Sequence, residues 1–287
     1  MRLVTWNMAM RTKKCLDHLN ALRADVIVLQ EVNPDHVGLT SRDRTRQRWG
    51  TAPSGKGFGV IVREGLRLTD MDPDPLPWCL PVHVGGDGIG FVLAAMWAIT
   101  YSPQKPSYTE QLAAVVDRYA GDPNMAPLVI AGDMNASAQQ ATHQAHLANV
   151  RAVRDRDLES AYHWRHGHAD DADVPTTLRW VSKPDAQYHC DLVFLPPEWR
   201  LEGTRVSLGD PDVVFGQKLS DHLPVIVDVP LEGHYRPPAV SRFGADGELV
   251  EYGAKFYADG KGLLISKAGG DWVTASDLAT PHEGEPQ

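Results

Sequence analysis

The sequence predicts an α/β fold, and two observations support that prediction. Short apolar stretches typical of buried strands alternate with segments in which aliphatic residues recur at helical spacing. Four of the apolar stretches adjoin a motif of acidic or amide side chains, and strand ends are where α/β scaffolds build their sites. The four motifs are Thr5-Trp6-Asn7, Leu29-Gln30-Glu31, Gly132-Asp133-Met134-Asn135 and Ser220-Asp221-His222.

The first elements follow directly from the N-terminal residues. Leu3-Val4 predicts a strand that leads into the first motif. Leu16, Leu19 and Leu22 then recur at helical spacing ahead of an aliphatic strand over residues 26–29. The chain therefore begins with a β-α-β pattern.

The alternation of strands and helices continues to about residue 230. A helix is predicted from Tyr108 to Tyr119, because Leu112, Val115 and Val116 share one face with Tyr119. The other strands predicted in this part cover residues 59–62, 91–98, 128–131, 191–195 and 225–227.

The segment after Pro230 changes character. It contains Pro237-Pro238 and then three glycine-punctuated segments that predict short antiparallel strands. These segments are Glu248 to Tyr252, Lys255 to Tyr257 and Leu263 to Ile265. We therefore predict one domain over residues 1–230, a small β-rich extension over 231–279 and a disordered tail over 280–287.

Composition is that of an ordinary globular protein. The 287 residues are 43% hydrophobic and 23% charged, with a formal net charge of −9. This charge argues against nonspecific binding to nucleic acid, although a local basic face or a bound metal can still dock a phosphodiester. No apolar run is long enough to span a membrane, and no signal peptide is apparent. Three cysteines without metal-ligand spacing fit a reducing compartment, so we expect a cytoplasmic location.

Asp133 and Asn135 have the side chains needed to act on a phosphate. They lie two residues apart at a strand end, so an extended backbone points them in the same direction. Asp can activate a water molecule, and Asn can donate to a phosphoryl oxygen without adding negative charge. Considered alone, an Asx turn is the commoner explanation of this pattern.

The other motifs supply groups for a hard metal ion and a phosphate. Glu31 is a candidate metal ligand, although a single Glu at a strand end is more often solvated. Asp221 suits the metal and His222 the phosphate, with Asp191 as the carboxylate that orients the imidazole. Oxygen ligands of this kind favour Mg²⁺. The joint occurrence of these weak motifs indicates phosphate-ester chemistry.

Together these motifs resemble the endonuclease/exonuclease/phosphatase superfamily, which includes exonuclease III-like and DNase I-like nucleases. The matching motifs follow the family's order: Trp6-Asn7, Gln30-Glu31, Gly132-Asp133-Met134-Asn135, Cys190-Asp191-Leu192 and Ser220-Asp221-His222-Leu223-Pro224. The resemblance implies a four-layer α/β/β/α sandwich with the site at one end of the paired sheets. The segments Thr176 to Trp180, Tyr188 to Phe194 and Glu198-Trp199 are similar to a bacterial branch of the superfamily whose substrates are poorly defined.

The resemblance also implies roles for individual residues. Three would lie in or near the shell of Mg²⁺, or of Mn²⁺ in its place: Glu31 as a ligand, with Asn7 and Asp221. Asp133 would activate the attacking water and Asn135 would hold the phosphate. His222, paired with Asp191, would stabilise the phosphoryl oxygens.

One position departs from the family pattern. Many members place a His, and AP endonucleases a Tyr, at the end of the strand that here finishes with Trp97. Trp has one N–H donor and cannot serve as an acid or base, so protonation of the leaving group falls to metal-bound water or to Tyr101. The alternative is that Trp97 belongs to the core.

Two cationic residues are further candidates for substrate contact. Lys56 lies in Gly55-Lys56-Gly57 just before a strand that leads towards the site, although an ordinary turn is an equal explanation. Arg179 lies in the segment shared with the bacterial branch. A third group, His163, His166 and His168, superficially resembles a metal site, but its spacing matches no standard Zn site and predicts an exposed loop.

The sequence therefore predicts a Mg²⁺-dependent phosphodiesterase in which an activated water attacks in line, with DNA as the first choice of substrate. No membrane and no obligate protein partner are expected. One alternative is hydrolysis of a small phosphate ester or a phospholipid headgroup, which the acidic charge suits. The other is a catalytically inactive binding module, which is disfavoured because the polar motif positions other than Trp97 are intact.

Overall fold

Two six-stranded sheets form the centre of the computed structural model, within the part of the chain that it describes. The structure describes residues 1–37, 45–52, 54–86, 88–99, 106–120, 126–172, 174–180, 183 and 185–230, and after residue 230 the backbone of strands. The strands up to residue 230 are β1 (Arg2–Asn7), β2 (Val26–Val32), β3 (Gln47–Thr51), β4 (Gly57–Val62), β5 (Arg67–Asp70), β6 (Cys79–Gly86), β7 (Ile89–Trp97), β8 (Leu128–Asp133), β9 (Glu159–Ser160), β10 (Leu178–Arg179), β11 (Gln187–Tyr188), β12 (Asp191–Leu195), β13 (Arg205–Leu208) and β14 (Val225–Asp228). The helices are α1 (Thr12–Ala21), α2 (Tyr108–Tyr119), α3 (His143–Arg154), α4 (Ala161–His166) and α5 (Pro211–Val214), with 3₁₀ turns at Pro34–His36 and Pro197–Trp199.

Each sheet contains one parallel pair of strands joined by a helix. The first sheet has the order β13-β14-β1-β2-β4-β3, and the second has the order β5-β6-β7-β8-β12-β9. In the first sheet β1 and β2 are parallel and connected by α1, and in the second β7 and β8 are parallel and connected by α2. Since the carboxyl ends of parallel strands lie at one edge, each pair brings its terminal polar residues together.

Successive side chains of a strand face opposite sides of its sheet, and the buried apolar side chains therefore form three separate layers. Val26 and Val28 of β2, with Val129 of β8, belong to the cluster between the two sheets. Leu29 and residues of α1 and α5 form a second cluster outside the first sheet, and Ile130 with residues of α2 and α3 forms a third outside the second sheet. The predicted four-layer α/β/β/α sandwich is therefore confirmed, with strands buried on both faces as their continuous apolar sequences indicate.

The predicted bounds of an element are most accurate where the hydrophobic periodicity and the capping residues at its ends agree. Helix α2 has the predicted bounds, and Ser107 and Glu110 form a capping box at its start. Strand β2 extends three residues beyond the predicted Leu29, so that Glu31 lies inside the strand.

After residue 230, the structure describes four strands in one antiparallel sheet: β15 (Val240–Phe243), β16 (Leu249–Phe256), β17 (Leu263–Lys267) and β18 (Trp272–Thr274). Strand β16 joins two segments that were predicted as separate strands, since it continues through Gly253. The disordered tail predicted over residues 280–287 lies outside the described residues. In the described parts of the chain, every helix is too short or too polar to cross a bilayer.

Candidate active site

Three charged side chains lie together where the two sheets end, and we call them the buried charge cluster: Asp133, Asp191 and His222. Asp133 is the last residue of β8 and lies opposite Asp191, the first residue of β12, in the antiparallel register. His222 reaches them from the loop before β14, and its Nδ1 lies 2.9 Å from Asp191 Oδ2. Both carboxylates are fully buried and His222 is 6% exposed.

Burial and mutual attraction determine the charges in this cluster. Burial raises the pKa of Asp133, the charge of Asp191 raises it further, and His222 partly opposes both effects. Burial lowers the pKa of His222, but the carboxylates of Asp191 and Asp133 outweigh this effect and raise it to about 10. At neutral pH an imidazolium therefore lies beside the two carboxyl groups.

The thiol of Cys190 is adjacent to the cluster. Its Sγ lies within 4.8 Å of ligand atoms of Asp133 and His222, a spacing that a metal ion can bridge. However, burial first and the charge of Asp191 second raise the pKa of this thiol well above its ordinary value. A protonated thiol is a poor ligand and a cationic imidazole cannot ligate, so an ion bound by this group would first have to displace their protons.

The backbone around Asp133 fixes the position of its carboxylate. Asn7 Nδ2 donates to Asp133 Oδ2 at 2.9 Å, and the backbone N–H of Asn135 donates to Oδ1 at 2.9 Å. Gly132 has φ +153, and a Cβ there would lie 1.7 Å from the carbonyl oxygen of Met96. Only glycine fits at this point, as the strand turns towards the site.

Three residues to which the sequence assigned no role hold the other side of the cluster. Thr177 Oγ1 accepts from the backbone N–H groups of Cys190 and Asp191, both at 3.1 Å. Ser220 Oγ donates to the carbonyl of Asn7 at 2.7 Å and accepts from the His222 N–H at 3.1 Å, while Trp6 Nε1 donates to the His222 carbonyl. All three belong to motifs or segments that the sequence shares with the superfamily. The atoms that they contact, however, are determined by the fold.

A second charged group, the Glu31–Lys56 pair, lies on the first sheet. The Lys56 ammonium donates to Glu31 Oε2, and the two side chains are 37% and 22% exposed. Glu31 has a left-handed backbone with φ +49, and the β2–β4 pairing shifts register between Leu29 and Val32. A bulge with a non-glycine residue in this conformation costs about 1–3 kcal/mol and re-aims the side chain, which indicates a functional constraint.

The predicted metal residues Asn7 and Asp221 differ in their surroundings. Asn7 is buried, and its amide is engaged by Asp133 and by the backbone N–H of Ala9. Asp221 is partly exposed, and its carbonyl accepts from the backbone N–H of Arg179 at 2.9 Å. Asp221 is therefore the more accessible of the two oxygen donors.

Asn135 makes contacts that differ from its expected role. Its Nδ2 donates to the carbonyl of Ala98 at 2.7 Å and to Asp133 Oδ2 at 3.2 Å. Both amide hydrogens are therefore engaged, and the side chain orients Asp133. The contact with a phosphate stays a prediction, and it requires the exchange of one of these two bonds.

The candidate substrate residues fall in different environments. Trp97 is 2% exposed and packs against Phe58, with ring centroids 6.1 Å apart, so its burial favours the core alternative over a substrate contact. Lys56 pairs with Glu31, as described above. Arg179 is exposed beside the Asp221 loop, with its guanidinium 4.6 Å from the centroid of the Phe215 ring. Tyr101 lies outside the described residues.

The predicted exposed loop at the three histidines is wrong for His163 and His166, since both lie on helix α4. His163 is buried and has its Nδ1 2.8 Å from Ser160 Oγ. His166 and His168 are exposed as predicted. The short helix was missed because six residues are too few to show a helical period.

Comparison with known proteins gives one family and a set of similar folds. The sequence profile of the Endonuclease/Exonuclease/phosphatase family matches residues 4–222. Similar solved structures include the endonuclease domain of TRAS1, a telomere-specific non-LTR retrotransposon, with TM-score 0.54, 17% identity, and coverage of 80% of this chain and 98% of that chain. D. rerio TDP2 complexed with a single-strand DNA product gives TM-score 0.53 and 17% identity, covering 79% of this chain and 97% of that one.

A third similar structure is an endonuclease/exonuclease/phosphatase family protein from Leptotrichia buccalis C-1013-b, with TM-score 0.51 and 13% identity. It covers 80% of this chain and 100% of its own length. At these identities the structural similarities show the fold. No curated protein shows significant sequence similarity to the chain.

Proposed function

Because the chain belongs to the Endonuclease/Exonuclease/phosphatase family, whose members are hydrolases of phosphoester bonds, we propose that it is a Mg²⁺-dependent phosphodiesterase acting on nucleic acid. One observation supports this proposal above the others. The buried charge cluster places a cationic imidazole and two carboxyl groups at the ends of paired strands, where the family motifs meet. Burying three charges is costly, so an arrangement of this kind points to function more than to stability.

Asp133 is the residue that activates the attacking water. Its raised pKa makes it a better proton acceptor than an exposed carboxylate, and its position is fixed by Asn7 and the Asn135 N–H. The attack places additional negative charge on the phosphoryl oxygens. Asp133 itself cannot stabilise that charge, so a cation is needed nearby.

His222 provides that positive charge. Asp191 accepts from Nδ1, which fixes the orientation of the ring and leaves Nε2 as the donor for a phosphoryl oxygen. Thr177 in turn holds the backbone of Asp191. The donor is therefore aligned before the substrate arrives, which is the condition for effective electrostatic stabilisation.

The Glu31 region fits a divalent metal ion. Its carboxylate is partly exposed, is aimed by a strained backbone, and already holds a cation in the form of the Lys56 ammonium. Asp221 offers a second accessible oxygen donor. Carboxylate oxygens of this kind suit Mg²⁺ or Mn²⁺. When bound, the ion supplies positive charge that neutralises the phosphoryl group.

Nucleic acid is the substrate that the comparisons favour. Two proteins of similar fold are described as an endonuclease domain and as a complex with a single-strand DNA product. The net charge of −9 favours the alternative, a small phosphate ester, because an acidic protein repels a polyanion. We prefer DNA because salt screens the distant acidic charges of the surface. The cations nearest a bound phosphodiester, His222 and Lys56, then dominate its electrostatic interaction with the protein.

The test is a cleavage screen with Mg²⁺ over single-stranded, duplex and abasic DNA, RNA and a generic phosphodiester. We expect DNA cleavage that Glu31→Ala and His222→Ala both abolish, and persistent cleavage by both variants would refute the assignment. Adding duplex DNA at low salt separates the two substrate classes, since it should inhibit a nuclease and leave a small-ester hydrolase almost unaffected.

A further inference from the structure

The Glu31–Lys56 pair joins a candidate metal ligand to a flexible cation. Lys56 lies in the turn between β3 and β4, where its carbonyl accepts from the backbone N–H of Ala52 at 2.9 Å. The next residue, Gly57, pairs with Val32 across the bulge that contains Glu31. The backbone of Lys56 is thus fixed beside Glu31, while its four-carbon side chain is free to change direction.

An ion pair of this exposure is weak. Partly exposed pairs are screened by solvent and contribute little to stability, so the contact of Lys56 with Glu31 is readily exchanged. A divalent ion at the same carboxylate repels the ammonium, and the two cations cannot both contact one oxygen without a cost. Binding of a metal at Glu31 therefore displaces Lys56 or is weakened by it.

We infer that Lys56 is an internal counter-ion that competes with the divalent metal for Glu31 and, once displaced, binds the phosphate of the substrate. The inference rests on the proposed function, because it requires metal binding at Glu31. Lys56 is then a cation that exchanges between Glu31 and the phosphate, and not a fixed substrate contact. Metal and phosphate then bind cooperatively, since the metal releases the cation that the phosphate needs.

The chain offers a matched control for this pair. Arg63 and Asp25 form an ion pair whose side chains are 40% and 23% exposed, close to the values for Lys56 and Glu31. Asp25 immediately precedes β2, whereas Glu31 lies near the other end of the same strand. Arg63→Met therefore removes a comparable cation far from the site.

The first experiment measures Mg²⁺ binding by calorimetry to the purified full-length protein and its variants. We expect Lys56→Met to bind Mg²⁺ about two- to fivefold more tightly than the wild type, because the competing ammonium is gone. Lys56→Arg and Arg63→Met should bind as the wild type does, and Glu31→Gln should lose most of its affinity. Circular dichroism confirms that each variant is folded.

The second experiment titrates inorganic phosphate with and without saturating Mg²⁺. The gain in phosphate affinity caused by Mg²⁺ should be about fivefold larger in the wild type than in Lys56→Met. Equal gains in the two proteins, or Mg²⁺ binding by Lys56→Met that is no tighter than in the wild type, would overturn the role of Lys56 and leave the metal site standing. Unchanged Mg²⁺ binding by Glu31→Gln, or none by the wild type, would overturn the metal site and the inference together.

Discussion

The buried charge cluster and the Glu31–Lys56 pair lie in the same molecule but are built in opposite ways. In the cluster, Asp133, Asp191 and His222 are buried, and backbone or side-chain hydrogen bonds fix each of them. In the pair, both side chains are partly exposed and their contact is a single ion pair at a bulge. One group is buried and held by several hydrogen bonds, and the other is partly exposed and held by one contact.

This difference corresponds to two requirements of metal-assisted hydrolysis. Groups that transfer a proton or stabilise developing charge act best when they are fixed in a low-dielectric environment before the reaction. A site that takes up a hydrated metal ion and a phosphate must instead exchange ligands and remain open to solvent. The cluster suits the first task and the pair suits the second.

The largest effect should follow from replacing the water-activating carboxylate of the cluster. Asp133→Asn keeps the shape of the side chain and removes its basicity, so we expect kcat to fall by about 10²–10⁴. The measurement is steady-state cleavage at saturating Mg²⁺. Asp117→Asn is the control, because Asp117 lies on the exposed side of α2 and is 74% exposed. Activity within tenfold of the wild type in Asp133→Asn would remove the basis for placing catalysis in the cluster.

The rigidity of the cluster is tested at the glycine that precedes Asp133. Gly132→Ala places a Cβ 1.7 Å from the Met96 carbonyl oxygen, so the two parallel strands must separate. We expect a loss of unfolding free energy of about 3 kcal/mol or more by denaturant titration. Gly167→Ala, at a left-handed glycine that ends α4 with open space around it, should cost about 1 kcal/mol. Equal losses in the two variants would contradict the tight packing at the site.

The charge of His222 provides a test by pH. Its pKa of about 10 lies above its ordinary value of 6.5, so its protonation contributes stability that is fully present below pH 6.5 and is lost as pH rises through about 10. Asp191→Asn removes the carboxylate that contacts the ring and should lower the pKa of His222 towards neutrality. An NMR titration of the imidazole signals in metal-free buffer measures the pKa of His222 in the wild type and in Asp191→Asn. Titration of wild-type His222 between about pH 6 and 8 would contradict the cluster as described.

The smallest effect is expected at the hydroxyl that holds Asp191. Thr177→Val removes the acceptor of two buried N–H groups and should destabilise the protein by about 1–3 kcal/mol, with a loss of activity at temperatures where the variant is folded. Thr204→Val is the matched control, because Thr204 is equally buried and its hydroxyl bonds the Trp199 carbonyl away from the site. The control should lose stability and keep its activity. Equal kcat in the two variants would show that Thr177 is only structural.

Much of the fold and of the cluster could be predicted from the sequence because each element has a local signal. The strand over residues 128–131 is apolar on both faces, which indicates burial between layers, and Asp133 comes two residues after its end. Asp191 and His222 were paired in the sequence interpretation on chemical grounds, and the 2.9 Å contact between them agrees with that pairing.

The features that escaped prediction depend on long-range contacts. The left-handed backbone of Glu31 arises from a bulge against β4, and the role of Thr177 arises from a backbone that lies 13 residues further along the chain. The core position of Trp97 was one of two alternatives that the sequence left open, because its burial depends on Phe58, on a different sheet. No local pattern at these residues specifies such partners.

The Mg²⁺ dependence of cleavage in Glu31→Gln and Asp133→Asn, measured side by side, tests the division between the two groups most directly. We expect high Mg²⁺ or Mn²⁺ to restore part of the activity of Glu31→Gln, because that variant lacks a metal ligand at an open site. The activity of Asp133→Asn should stay low at every metal concentration. Recovery of both variants at high metal, or recovery of Asp133→Asn alone, would contradict the assignment of catalysis to the cluster and of metal exchange to the pair.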